Sequence, residues 1–156
     1  MRIFSLLLLM ILLTSCDKFS LTKSKNIQPL DTVVNFTAVD TYPSFKNCDA
    51  IIDKVEKQNC FRNTIHTKIG EELLKHTFTL QDSVNETVLV NLIIDKNGVI
   101  NFESLQSSKK IQEQLPLLDS LVEASVKSLE KIYPAIKRGI PVTTKYQLPI
   151  KIKLEN

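Results

Sequence analysis

The chain has 156 residues, of which 43% are hydrophobic and 24% charged, and a formal net charge of +3. That length suits one domain of ordinary size with an additional segment. The near balance of acids and bases excludes the strongly basic footprint of a nucleic-acid binder, and there is no internal repeat and no second hydrophobic span.

In chain order, the first element is Met1-Arg2 followed by "IFSLLLLMILL" (Ile3 to Leu13). This run is too short to cross a bilayer as a helix, which takes about 20 residues, and it fits the hydrophobic region of a signal peptide. It ends in Leu13-Thr14-Ser15-Cys16, which resembles the lipobox of bacterial lipoproteins. The resemblance implies a signal peptide over residues 1–15 and acylation of Cys16. It also implies a mature chain anchored to the inner or outer membrane of a cell envelope, facing the periplasm or the cell surface. Loss of Arg2 leaves the mature side chains at +2. Residues 16–40 then form a tether. Asp17 to Leu30 is polar and lysine-rich without periodicity, and "DTVVNFTAVD" (Asp31 to Asp40) is a candidate short strand.

Cys48 and Cys60 remain as an even pair in a compartment that permits oxidation. Their spacing is too wide for a redox CxxC, and no further cysteines complete a zinc site, so they are expected to form a structural disulfide. Asp49 to His76 is expected to be helical in two pieces divided near Asn59. Phe61, Ile65, Ile69 and Leu73 fall at four-residue steps on the second piece. His66 and His76 are read as surface or half-buried histidines rather than as metal ligands. "ETVLVNLIIDKNGVINFESL" predicts a β-hairpin: Val88, Val90, Leu92 and Ile94 alternate on one strand, Asp95-Lys96-Asn97-Gly98 turns, and Ile100 and Phe102 resume the alternation.

Lys109 to Gln114 is polar, and Pro116 then marks the first turn of a helix. Leu118, Leu121, Val122, Ser125, Val126, Leu129 and Ile132 carry that helix to a stop at Tyr133-Pro134. The chain closes on "PVTTKYQLPIKIKLEN", where Val142, Tyr146, Leu148, Ile150, Ile152 and Leu154 alternate with polar residues, Thr144 being the one polar member of the stripe. Pro149 cannot donate to a ladder, so this long strand belongs at a sheet edge. The order helix, strand, strand, helix, strand predicts an α+β fold: a three-stranded antiparallel sheet with two main helices on one face.

The hairpin with "IIDKNGVI", the helix ending "SLEKIYPAIKRGIPV" and the terminal "YQLPIKIKL" together resemble the C-terminal domain of TonB, in the form common in Bacteroidetes. "YPSFKNC" and "QNCFRNTIHTKI" are similar to the cysteine-bearing segment that precedes that domain there. The likeness spans residues 42 to 154 and places a TonB C-terminal-like domain at 41–156. Two departures stand out. Where that family usually has a Tyr-Pro pair before the hairpin, this chain reads "HTFTLQDSVNETV". TonB itself also starts with a transmembrane helix and a long proline-rich spacer. The short tether here reaches only a few tens of ångströms, which excludes a conventional energy transducer.

The family resemblance implies no chemistry and no cofactor. It implies binding of a short extended segment of an outer-membrane transporter as an added strand on the last strand of the sheet. Carried onto this chain, the partner-binding edge is Val142, Thr143, Thr144, Lys145, Tyr146, Gln147 and Lys151, with the lysines favouring an acidic segment. The partners expected are a membrane through Cys16, an outer-membrane transporter or other envelope protein, and no nucleic acid. The alternative is a structural lipoprotein that pairs with a second copy of itself as a homodimer. An enzyme is not expected: no nucleophile motif, phosphate loop or metal spacing is present.

Overall fold

The computed structural model describes residues 34–78 and 81–154. The expected signal peptide, Cys16 and the expected tether up to residue 33 lie outside the described residues. Strand β1 (Val34–Asn35) is followed by a 3-10 turn at Phe36–Ala38. Phe36 and Val39 are buried, so the segment grouped with the tether on sequence belongs to the fold from Val34 onward.

Helix α1 (Lys54–Leu73) runs unbroken through Asn59, correcting the expected division. Asn59 costs a few tenths of a kilocalorie per mole in a helix interior. Burial of Phe61, Ile65, Ile69 and Leu73 along one face outweighs that many times over. Asp53 caps the helix by accepting a bond from Glu56 N at 2.8 Å. Cys48 and Cys60 are disulfide-bonded, which fixes the 3-10 turn Lys46–Cys48 to this helix.

Strands β2 (Val84–Ile94) and β3 (Ile100–Gln106) form the hairpin. Its turn is held by Asp95, whose Oδ1 accepts from Asn97 N at 2.8 Å and Val99 N at 2.9 Å. Gly98 has φ +79°, and a Cβ built there would meet Ile132 O at 1.7 Å. The close approach has a cause: Ile132 N donates to Gly98 O at 3.0 Å. Further along, the register shifts between Asn91↔Ser104 and Leu92↔Phe102, so Glu103 is an extra residue bulged out of β3. The bulge turns Leu105, opposite Val90, back toward the core side.

Lys109–Gln114 is a short helix, α2, rather than only a polar stretch. Ser108 Oγ accepts from Ile111 N at 3.2 Å, and Ile111 is buried. Helix α3 (Leu118–Lys127) stops five residues before Ile132, earlier than the apolar spacing suggests. Ser128 Oγ donates to Ser125 O at 2.8 Å in its last turn, and the chain then leaves to meet the hairpin turn. Ile132 is still buried, but from an extended segment. Strands β4 (Ala135–Lys137) and β5 (Ile140–Val142) make a separate ribbon. Its two-residue turn, Arg138 (φ 52°) and Gly139 (φ 74°), has both residues in the left-handed region that such hairpins need. The ribbon is tied to residues 40–44 by bonds such as Ile136 N to Thr41 O at 3.0 Å.

The last strand, β6 (Thr144–Leu154), pairs antiparallel with β2 along its whole length, from Ile94↔Thr144 to Val84↔Leu154. The long strands therefore form the expected three-stranded antiparallel sheet. The two-residue β1 adds to it in parallel, giving the order β1-β6-β2-β3. Helices α1 and α3 pack on its apolar face, where Val88, Val90, Leu92, Ile94 and Leu148 are fully buried. No described helix is long and apolar enough to cross a membrane.

Candidate peptide-docking edge

The period of two in β6 sorts its residues cleanly. Thr144, Tyr146 and Leu148 are buried against the helices, while Lys145, Gln147, Pro149, Lys151 and Lys153 are exposed on the opposite face. Pro149 lies opposite Leu89 of β2. A proline is tolerated there only if its nitrogen faces away from that ladder. Main-chain groups alternate along a strand with the side chains, so those of Gln147 and Lys151 point outward with Pro149.

What lies on that outward side differs along the strand. Val34 and Asn35 of β1 pair with Thr144 and Lys145. Beyond Lys145, no strand among the described residues lies beside Tyr146 to Leu154. The cover ends at Asn35 because Phe36 turns inward. Its ring stands 4.7 Å from Tyr146, 5.0 Å from Tyr42 and 5.9 Å from Phe61.

The edge read from the sequence is thus divided. Val142 is in β5, opposite Ala135, and Thr143 is buried between the strands. Thr144 and Lys145 have β1 as an outer neighbour, which corrects the expectation that they form open edge. The side chain of Tyr146 belongs to the core. Burial pushes its phenol above the ordinary value, and a hydrogen bond and the charge of Arg62 oppose that shift. Gln147 Nε2 donates to Asn91 Oδ1 at 3.1 Å, and Asn91 Nδ2 donates to Ser104 Oγ at 2.9 Å, a polar row across the outer face. Lys145 is ion-paired with the bulged Glu103. Lys151 has no acidic partner among the described residues.

One feature was not legible in the sequence. A groove of about 410 Å³ opens at the far end of β6, lined by Leu73, Leu74, Phe78, Leu115, Leu118 and residues 150–154. Residues of both parities of β6 line it, so it reaches from the inner face to the strand's edge. The available signal was Leu74, which lies one residue past the buried stripe of α1 and is 85% exposed.

Of the two histidines, His66 is half-buried on α1, its pKa lowered by burial and by Arg62, while His76, exposed past the helix end, lines the groove. The described residues hold no cluster of three or more His, Cys, Asp or Glu able to hold a metal ion. Comparison with protein-family models, with curated proteins and with solved structures gives no match.

Proposed function

We propose that this chain is a lipid-anchored envelope protein whose folded domain binds an extended segment of another protein by strand addition to the outer edge of β6. The observation that carries the reading is the outer side of Tyr146 to Leu154, beside which no described strand lies, in a strand fully paired on its other side. Main-chain bonds there supply affinity that depends little on the partner's sequence. The opposite edge, β3, is shorter and bulged at Glu103, which blunts it for pairing. The resemblance to the TonB C-terminal domain supports the same edge and points to the plug of an outer-membrane transporter, or another envelope protein, as the donor of the strand.

The test is photo-crosslinking in cells from Gln147 and Lys151, with Asn101 on β3 as the control position. Lys145 is a poor probe because β1 lies beside it. Capture of one extended segment of an envelope protein from the two β6 positions, absent from Asn101, supports the reading. Capture of only a second copy of this chain replaces it with self-association. No capture from either position overturns it.

A further inference from the structure

The groove at the end of β6 restricts which strands that edge can accept. This inference rests on the strand-addition reading above and concerns the chemistry of the partner. A strand laid beside Tyr146 to Leu154 would send alternate side chains to the two faces of the sheet. Those on the helix side would continue the stripe of Ile150, Ile152 and Leu154, all only partly covered, and would meet Leu74 and Phe78 at the end of α1. Apolar side chains there would bury surface that β6 and α1 leave in contact with water. Those on the other side would stand beside Lys151, whose charge is not matched by an acid of the described chain, with Lys153 on the same face.

We propose that the edge of β6 selects a partner segment in which apolar residues facing the groove alternate with acidic residues facing Lys151. Its length is bounded at one end: β1 occupies the outer side of Lys145, so among the described residues the added strand lies along Tyr146 to Leu154. Pro149 supplies a carbonyl but no donor at the middle of that span. The apolar and acidic sets fix which face each side chain takes, because a slip by one residue would exchange them.

The experiment uses the full chain in detergent micelles and three dye-labelled nine-residue peptides: alternating Leu and Glu, alternating Leu and Lys, and alternating Ser and Glu. Binding is read by fluorescence polarisation, and pairing by amide exchange along β6. The Leu/Glu peptide is expected to bind at least about tenfold more tightly than either other peptide and to protect Gln147 and Lys151 from exchange. Leu74→Asp, at a position exposed in the fold, is expected to remove most of the advantage over Ser/Glu. Lys151→Glu is expected to reverse the preference between Leu/Glu and Leu/Lys. Equal affinity for all three peptides with β6 protected would overturn the proposed selectivity and leave strand addition standing. No binding and no protection with any peptide would overturn both. Protection before any peptide is added, in a dimeric protein, would show that a second copy occupies the edge and would likewise overturn the proposal.

Discussion

Thr144 is the one polar residue in the inward stripe of β6, and the structure shows what that exception costs. It is fully buried, and its Oγ1 has no hydrogen-bond partner among the described residues. A buried hydroxyl without a partner forfeits its bonds to water and gains nothing in return. Thr144→Val keeps the shape and removes the polar atom, so it should raise stability by about 1 kcal/mol, measured by urea unfolding. A decrease would show that the hydroxyl is satisfied in solution. Gly98 is the opposite case, a residue that admits no substitution. Its positive φ disfavours any side chain, and its carbonyl is bonded to Ile132 N so closely that a Cβ cannot fit. Gly98→Ala should cost about 3 kcal/mol or more, because strain and a lost contact add. Gly70, with open space around it, is the internal control: Gly70→Ala should be neutral or slightly stabilising.

At the scale of elements, strict periodicity was the readable signal. The alternation in β2 and β6 and the four-residue stripe of α1 are local consequences of one buried face, so they appear in the sequence. Pro149 marked an outer side of β6 without a second ladder for the same local reason, which holds among the described residues beyond Lys145. The ends of elements were less legible because tertiary contacts set them. The stop of α3 at Lys127 reflects where Gly98 lies, some thirty residues away in the chain. The two-residue β1 has too little pattern to announce that it covers Thr144 and Lys145. The groove is invisible in sequence because it arises from where α1 stops relative to β6. The disulfide was anticipated from the compartment and the cysteine count, and the structure adds what it holds. It anchors the turn that carries Phe45, whose ring stacks on Phe61 of α1 at 5.6 Å. Closing a loop with a separation of 12 residues contributes about 3 kcal/mol in the chain-entropy model. Replacing both cysteines by serine should therefore lower unfolding stability by that amount in oxidising buffer. In the same experiment, a reductant should bring wild type to the level of the variant. A variant as stable as the oxidised wild type would mean the aromatic packing holds the turn without the bond.

For the whole molecule, the proposed anchor and the proposed docking edge make one joint prediction. An acyl chain gains about 0.8 kcal/mol for each buried CH₂, and more than one chain is needed for stable anchoring. If Cys16 carries such chains, Cys16→Ser should move the protein from the membrane pellet to the soluble fraction and remove the acyl mass seen by mass spectrometry. Unfolding stability should stay within about 0.5 kcal/mol, as for a surface change, since the described core is built from Phe36 onward. A protein that pellets regardless, with no acyl mass on Cys16, would sink the lipoprotein reading. If the residues after Cys16 act as the short tether expected from the sequence, they would hold the domain near the bilayer and raise the local concentration of any partner segment displayed there. Crosslinking from Gln147 and Lys151 should therefore fall sharply in Cys16→Ser cells, although the edge itself is unaltered. Restoring the anchor with an unrelated lipoprotein leader should restore the crosslinks. Undiminished crosslinking in the soluble variant would separate the two ideas, leaving the edge a binding site whose partner is not confined to the membrane surface.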